Sequence, residues 1–456
     1  MNTDQKLGKT KITPLIFKMS APAIISMFVQ ALYNIVDSWF LAKYSQDALS
    51  AVTLAFPIQM IIISLFVGLA VGINSVIARR LGEQNRDEAV NSAEHGFFFG
   101  IIICIFLALL AIKLPGVFFV QFTENQQIID YGITYITIIL VFSIARIITQ
   151  VFISILQATG AMMSAMVIQG AGAITNILLY GFLIFGWWIF PEMGVAGAAI
   201  ATVIGQFVSL ILAIIIYSTR QNRLKLNLRK FHLKKDISKN ILSVGIPAMV
   251  MQGLGSIMLY SLNRILSKFG DDAYTFLGVY FRIQSFIFMP VFGLNQGMMP
   301  VLGYNFGAGN KKRVTQALKV GLITAVSIMA IGTIVFQLFP ADIINIYEVT
   351  DSIVEIGIPA FRIISSLFVL AAVNIVLSVF FQAIGDAYIG MIISFARQIL
   401  ILIPAAWILS RSFGLTKTWL AFPIAEALTT IIVILFTIYE YNKKIKNLVP
   451  LSETRP

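Results

Sequence analysis

The chain has 456 residues, 58% of them hydrophobic and only 12% charged, with a formal net charge of +12. Soluble domains carry roughly 25% charged residues, so this balance, with a mean hydropathy of +0.88, excludes a soluble globular protein and implies an integral membrane one. The single cysteine, Cys104, lies in an apolar segment, which excludes a disulfide framework and a cysteine metal site.

Residues 1–11 are polar and basic and run directly into the first apolar segment. No small-residue cleavage pattern closes that segment, so it is expected to be retained and not removed as a signal peptide. Segments long enough to span, at about 20 residues each, fall near 14–42, 51–78, 95–112, 129–157, 162–186 and 194–218. After a polar, basic stretch at 219–240, six more lie near 241–263, 275–302, 314–339, 354–382, 387–409 and 413–441. The expected architecture is all-α and membrane-spanning, with twelve transmembrane helices. Its first lobe covers 1–218, a basic cytoplasmic linker 219–240, the second lobe 241–445 and a cytoplasmic tail 446–456.

Loop charge sets the orientation. One side receives Lys6, Lys9, Lys11, Arg79, Arg80 and Arg86, then eight cations between Arg220 and Lys239, Arg223 among them. With Lys311, Lys312, Arg313, Lys443, Lys444, Lys446 and Arg455, that side holds twenty-one, against six on the other (Lys43, Lys113, Arg264, Lys268, Arg411 and Lys417). Both termini are therefore expected in the cytoplasm of a cell-membrane protein. The basic balance reads as a topology signal, with lipid headgroups as neighbours and no nucleic-acid partner.

An internal repeat organises the whole. A gapless shift of 225 residues brings Pro22 onto Pro247, Asp47-Ala48 onto Asp272-Ala273 and Ile58-Gln59 onto Ile283-Gln284. The same shift brings Gly68-Leu69 onto Gly293-Leu294, Gly82 onto Gly307, Asn85 onto Asn310 and Gln157-Ala158 onto Gln382-Ala383. Six spans per unit is an even number, so both halves enter the membrane from the same side. They are parallel repeats about a pseudo-two-fold axis along the membrane normal, a plan that transporters use with the site between the halves.

Within the first span, Ser26, Gln30, Asn34 and Asp37 recur at steps of four, four and three, on one helix face. At ~1.5 Å per residue Asp37 lies roughly 9 Å inside the Lys43 end. An ionisable group at that depth costs about 2.5–3.5 kcal/mol on insertion scales and by default marks an ion or substrate path. Asn176 and Tyr180 share a face of the fifth span, and Thr202 lies about 12 Å inside the outer end of the sixth. These groups fall at similar depth, so Asp37, Asn34, Asn176, Tyr180 and Thr202 form the candidate cation- or proton-handling set. Gln30, Gln59 and Gln284 are candidates for a polar substrate path. In the second half Leu262 stands where Asp37 would be, but Arg397 and Glu426 fall near mid-depth on consecutive spans and are expected to pair. Arg146 is expected to meet a polar group or the membrane boundary, and His95 and His232 to lie at the surface.

These residues carry a resemblance. Tyr33-Asn34-Ile35-Val36-Asp37, Ala78-Arg79-Arg80-Leu81-Gly82, Gln157-Ala158-Thr159-Gly160, and Asn176 followed by the small-residue run from Gly194 to Thr202 resemble the multidrug and toxic compound extrusion (MATE) family. The likeness is to its prokaryotic DinF-like and MepA-like branch and covers essentially the whole chain. It implies export of cationic amphipathic drugs by antiport with H⁺, or less readily Na⁺, through alternating access between two lobes. It also implies an N-lobe site with an aspartate on the first helix, matching Asp37, and an Asn-x-x-x-Asp on the fifth. Here that motif reads Asn176-Ile177-Leu178-Leu179-Tyr180: the asparagine is kept and the aspartate is tyrosine. Past Glu355 at its outer edge no acid appears on the tenth span, and none on the seventh, where family members with a C-lobe sodium site carry them; Asn374 occupies that region of the tenth. Both departures favour H⁺ as the coupling ion, with Na⁺ at the Asp37 cluster as the alternative.

A lipid-linked oligosaccharide flippase of the same plan is the rival reading; it would present several arginines to a pyrophosphate, and Arg146, Arg282, Arg362 and Arg397 are available. An enzyme is not expected, because the spans hold no histidine–acid set and no nucleophile beside a base. Neither a cofactor nor a metal-ligand cluster is expected, and the chain reads as a monomer.

Overall fold

The computed structural model describes residues 3–220, 224–347 and 349–450. Every regular element among them is helical. The first six spans are α1 (Ile12–Tyr44), α2 (Phe56–Gly82), α3 (Arg86–Leu110), α4 (Gln126–Val141 and Ser143–Ala158, bent by 46°), α5 (Met162–Phe185) and α6 (Gly194–Thr219). The second six are α7 (Lys235–Phe269), α8 (Asp271–Gly307), α9 (Lys311–Leu338), α10 (Asp351–Ser365 and Phe368–Ile384, bent by 53°), α11 (Ala387–Ser412) and α12 (Gly414–Ile445). All twelve expected spans are present, two of them as bent pairs.

The helices outrun the apolar segments because their ends are capped in the polar layer. Helix α3 begins at Arg86, where Asn85 accepts from the Glu88 amide at 3.2 Å, and α9 begins at Lys311, where Asn310 accepts from the Arg313 amide at 3.1 Å. The repeated asparagines are thus repeated N-caps, each satisfying an amide that the helix leaves unpaired.

The two halves meet where small residues let backbones approach, as helix interfaces in lipid require. A Cβ on Gly68 would stand 2.7 Å from the Gly245 carbonyl oxygen, and one on Gly72 2.6 Å from that of Ile241, which presses α2 onto α7. Their repeat partners do the same between α8 and α1: a Cβ on Gly293 would fall 2.7 Å from Ile24 N, and one on Gly297 2.6 Å from Ser20 N. Cross-lobe hydrogen bonds accompany them, from Ser20 Oγ to Leu294 O (3.2 Å) and from Ser75 Oγ to Gln382 O (2.6 Å). Arg313 Nη2 donates to the carbonyls of Leu7 (2.9 Å) and Thr10 (2.8 Å), fixing the short helix Thr3–Lys9 to the second half. The first turns of α1, with Ile12, Leu15, Ile16 and Met19, belong to the second lobe's core, and Ile237 and Ile241 of α7 belong to the first lobe's.

All these contacts lie toward the end that carries the basic loops. Toward the other end α1 exposes Gln30, Asn34 and Ser38, and α7 exposes Gln252 and Ser256. Polar exposed faces at membrane depth face water and not acyl chains, so the lobes part toward that end and enclose a cleft.

The segment joining α6 to α7 does not hang free. Asn227 N donates to Glu94 Oε1 at 2.7 Å and Lys234 N to His95 Nε2 at 2.9 Å, while Tyr217 Oη donates to Leu224 O. His95, expected at the surface, is therefore fully buried under this segment, whereas His232 is exposed. Sequence distance concealed that cover, since 139 residues separate His95 from Lys234. Arg223 and Arg455, counted among the loop cations, lie outside the described residues.

Candidate functional site

Helix α1 packs on α5, placing Phe40 stacked against Tyr180 with ring centroids 6.1 Å apart. This packing turns Tyr33 and Asp37, one turn apart, toward α5 and α6. Asn176 Nδ2 donates to Thr202 Oγ1 at 3.0 Å, and Thr202 Oγ1 donates to its own helix at Ala198 O, also 3.0 Å away. The Thr202 hydroxyl has spent its proton, so at the 3.3 Å contact with Tyr180 Oη the tyrosine is the donor. Tyr180 is fully buried and adjoins the Asp37 carboxyl, and Tyr33 adjoins both Tyr180 and Thr202. Tyr180 therefore has one proton, which goes to the Thr202 oxygen here, with the Asp37 carboxyl as the other acceptor nearby.

Two oxygens in this pocket, Asp37 Oδ1 and Asn176 Oδ1, are buried without a hydrogen-bond partner. Both are acceptors, so the pocket calls for an electropositive guest: a proton on Asp37, or a cation between the two. No salt bridge reaches Asp37 among the described residues. Tyr135 of α4, fully within the first lobe's core, completes the wall, with Gln59 of α2 beside it. Arg146, next to the bend in α4, lies over the Phe66 ring at 4.9 Å, within electrostatic reach of Tyr33.

Asn34 does not join this set. It is exposed and accepts from Gln30 Nε2 at 3.4 Å. Three residues along a helix leave about 60° between side chains, which suffices to put Asp37 inside the lobe and Asn34 on the cleft face. Tyr33 and Tyr135 belong to the pocket but were not among the candidates. A tyrosine's one hydroxyl is hidden in an apolar count, and only the four-residue spacing of Tyr33 and Asp37 could have signalled it.

The second lobe holds a different pocket on α8, α10, α11 and α12. Arg397 Nη1 stands 2.8 Å from Glu426 Oε1, and Asn374 Nδ2 donates to Glu426 Oε2, again at 2.8 Å, and to Thr429 Oγ1 at 3.3 Å. Arg397 and Glu426 side chains keep 27% and 19% of their surface open, so the pair is half-buried and not sealed. Asn374 Oδ1 and Tyr280 Oη are buried and unpartnered beside it. Helix α11 opens into a π-helical segment at Ala396–Leu402, around Arg397, a distortion common at functional sites. Gln284 of α8 is half-buried. The four arginines are engaged separately: Arg146 over Phe66, Arg397 on Glu426, with Arg282 and Arg362 exposed. No group of three His, Cys, Asp or Glu able to hold a metal occurs among the described residues.

A family model described as MatE matches residues 22–183 and again 247–408, two matches offset by the same 225 residues as the internal repeat. The chain is 28% identical over 409 residues to the probable multidrug resistance protein NorM of Thermotoga maritima, covering 89% of this chain and 88% of that protein. It is 24% identical over 427 residues to the multidrug export protein MepA of Staphylococcus aureus, covering 92% of each. A multidrug resistance MATE family transporter of the MOP superfamily, solved in an outward-facing conformation, superposes with a TM-score of 0.91 at 25% identity over 97% of this chain and 98% of that one. A MOP superfamily transporter from Pyrococcus furiosus, for which reversed pocket polarity suggests a different function, superposes with the same score, identity and coverage.

Proposed function

The chain belongs to the MatE family, and on that premise we propose that it is a multidrug efflux transporter that expels cationic amphipathic compounds in exchange for protons. The names of its relatives support drug export. One observation carries the proton reading: Asp37 is the lone carboxylate of the first-lobe pocket, facing a phenol where the family pattern has a second acid. With one acid the pocket holds at most one negative charge, and a proton cancels it completely. A sodium ion would need several oxygen ligands and finds one carboxylate and one amide oxygen free.

The single proton of Tyr180 makes the pocket two-state. When Asp37 is ionised, the tyrosine donates to the carboxylate. When Asp37 binds a proton, it can donate in turn to the Tyr180 oxygen, and the tyrosine, keeping its own proton, turns its hydrogen bond to the Thr202 oxygen. Charge leaves α1 and the hydrogen bond between α1 and α5 reverses. Protonation therefore favours a different seating of α1, which is what coupling requires. The basic loops are read as cytoplasmic, so the cleft opens outward in this structure, the state that takes up a proton and releases the drug. A membrane potential of 100 mV supplies about 2.3 kcal/mol per charge moved, roughly fifty-fold in gradient.

The test is ethidium efflux from proteoliposomes under an imposed pH or sodium gradient, in wild type and Asp37→Asn. Wild type is expected to respond to the pH gradient and the variant to neither. Efflux that follows sodium alone, or that survives in the variant, removes the proton scheme.

A further inference from the structure

One charge inside the first lobe takes no part in the exchange at Asp37. Arg146 begins the inner arm of α4, its guanidinium over the Phe66 ring at 4.9 Å. It stands roughly 18 Å above Ala158 at the inner end of that helix, and its side chain leans toward the helix N-terminus, here the outer side. Tyr33 belongs to the antiparallel α1 and leans inward, so the two side chains approach one another beneath Asp37. Tyr33 of α1 and Phe66 of α2 face the guanidinium, and Asp37, Tyr135 and Tyr180 lie beyond Tyr33. Among the described residues no hydrogen bond or ion pair reaches Arg146. A permanent cation at that depth costs about 2.5–3.5 kcal/mol on insertion scales, and no carboxylate offsets it, so the free charge is itself the useful property.

Below it runs a polar line. Gln150 and Gln157 follow Arg146 at steps of four and seven, on one face of α4. Gln157 is buried and accepts from Asn74 Nδ2 of α2 at 3.4 Å, while Asn74 keeps a buried, unpartnered Oδ1. These oxygens offer a proton or a small cation successive acceptors from the Asp37 pocket toward the cytoplasmic end. A fixed positive charge at the head of such a line is how pores refuse cations. We propose that Arg146 is the electrostatic stop of the first lobe, barring protons and metal cations from passing between the Asp37 pocket and the polar line beneath it. Asp37 then exchanges its proton with the cleft alone. While Asp37 is ionised, its own charge holds an incoming cation at the pocket. Once it is protonated, Arg146 stands uncompensated and repels the next one. Tyr33 keeps guanidinium and carboxyl apart, so Asp37 stays free to titrate. The inference rests on the reading of Asp37 as the proton carrier.

The experiment follows proton entry into pyranine-loaded proteoliposomes holding the full chain, without drug, with an acid exterior and the potential clamped by potassium and valinomycin. Wild type is expected to be as tight as empty liposomes. Arg146→Met and Arg146→Gln remove the charge with little change of length, and each should admit protons at least about fivefold faster. Arg146→Lys keeps the charge and should stay tight. Adding Asp37→Asn to Arg146→Met should close the leak, because protons then find no carrier at the pocket. Neutral variants as tight as wild type, an equal leak in Arg146→Lys, or a leak that survives Asp37→Asn, as loosened packing would give, overturns the proposal. Ethidium efflux from the same vesicles keeps the two readings apart. Wild-type efflux driven by sodium alone would overturn the proton scheme, while an Asp37-dependent leak in Arg146→Met would leave the stop standing.

Discussion

The two lobes place polar pockets on repeat-equivalent helices and fill them with opposite logic. In the first, one acid stands among neutral donors, with buried acceptors left unpartnered. In the second, an acid and a base satisfy one another and an asparagine braces the acid. The helical frame was duplicated while the charges were not: Leu262 and Ala405 occupy the repeat positions of Asp37 and Tyr180. A lone buried carboxyl changes its charge readily because no fixed counter-ion holds it. A paired one resists, since neutralising either partner leaves the other buried and unpaired. The first pocket is thus the one suited to cycle.

That contrast breaks first at Asp37. Asp37→Asn should reduce pH-driven efflux to the level of empty liposomes while its melting temperature stays near that of wild type; a large fall in melting temperature would make the carboxyl structural. Next comes the ion pair. Glu426→Ala should cost about 3–5 kcal/mol by stranding Arg397, and pairing Glu426→Leu with Arg397→Met should recover most of it, read by thermal unfolding in detergent. Equal losses in both variants would mean that packing, not charge, holds the second pocket.

The shared inner seam is the third target. In a Cys104→Ser background, Ser20→Cys should be protected from thiol reagents, because Ser20 is 1% exposed against α8. Adding Gly72→Val, with α7 backbone 2.6 Å from the new carbon, should strain the seam by about 1–3 kcal/mol and unmask that thiol. Continued protection would show that the seam can yield without parting. The smallest effect sharpens the contrast most. Tyr180→Phe removes one hydrogen bond, about 1 kcal/mol, and should slow pH-driven efflux several-fold. Tyr180→Asp restores a second acid and should make efflux respond to sodium; a variant indifferent to sodium would place ion choice elsewhere.

The span count, the two lobes and the repeat were legible in the sequence because each follows from periodicity along the chain. A long apolar run becomes a helix with its backbone satisfied internally, and one offset between landmark residues fixes the relation of the halves. Even the capping asparagines Asn85 and Asn310 announced themselves as repeat landmarks. Depth along each helix also identified Asp37, Asn176, Tyr180 and Thr202 as neighbours in height.

Rotation about the helix axis was decided only by packing. Asn34 and Asp37 lie within one sequence face, yet one meets water and the other α5, because a neighbouring helix divides a face more finely than a hydrophobic count does. His95 was covered by a segment remote in sequence, and Tyr33 and Tyr135 joined the pocket only because packing brought them beside Asp37. Sequence pattern fixes how deep a residue sits and which helix carries it; which way it points, and what shares its charge, comes from the contacts of the other eleven.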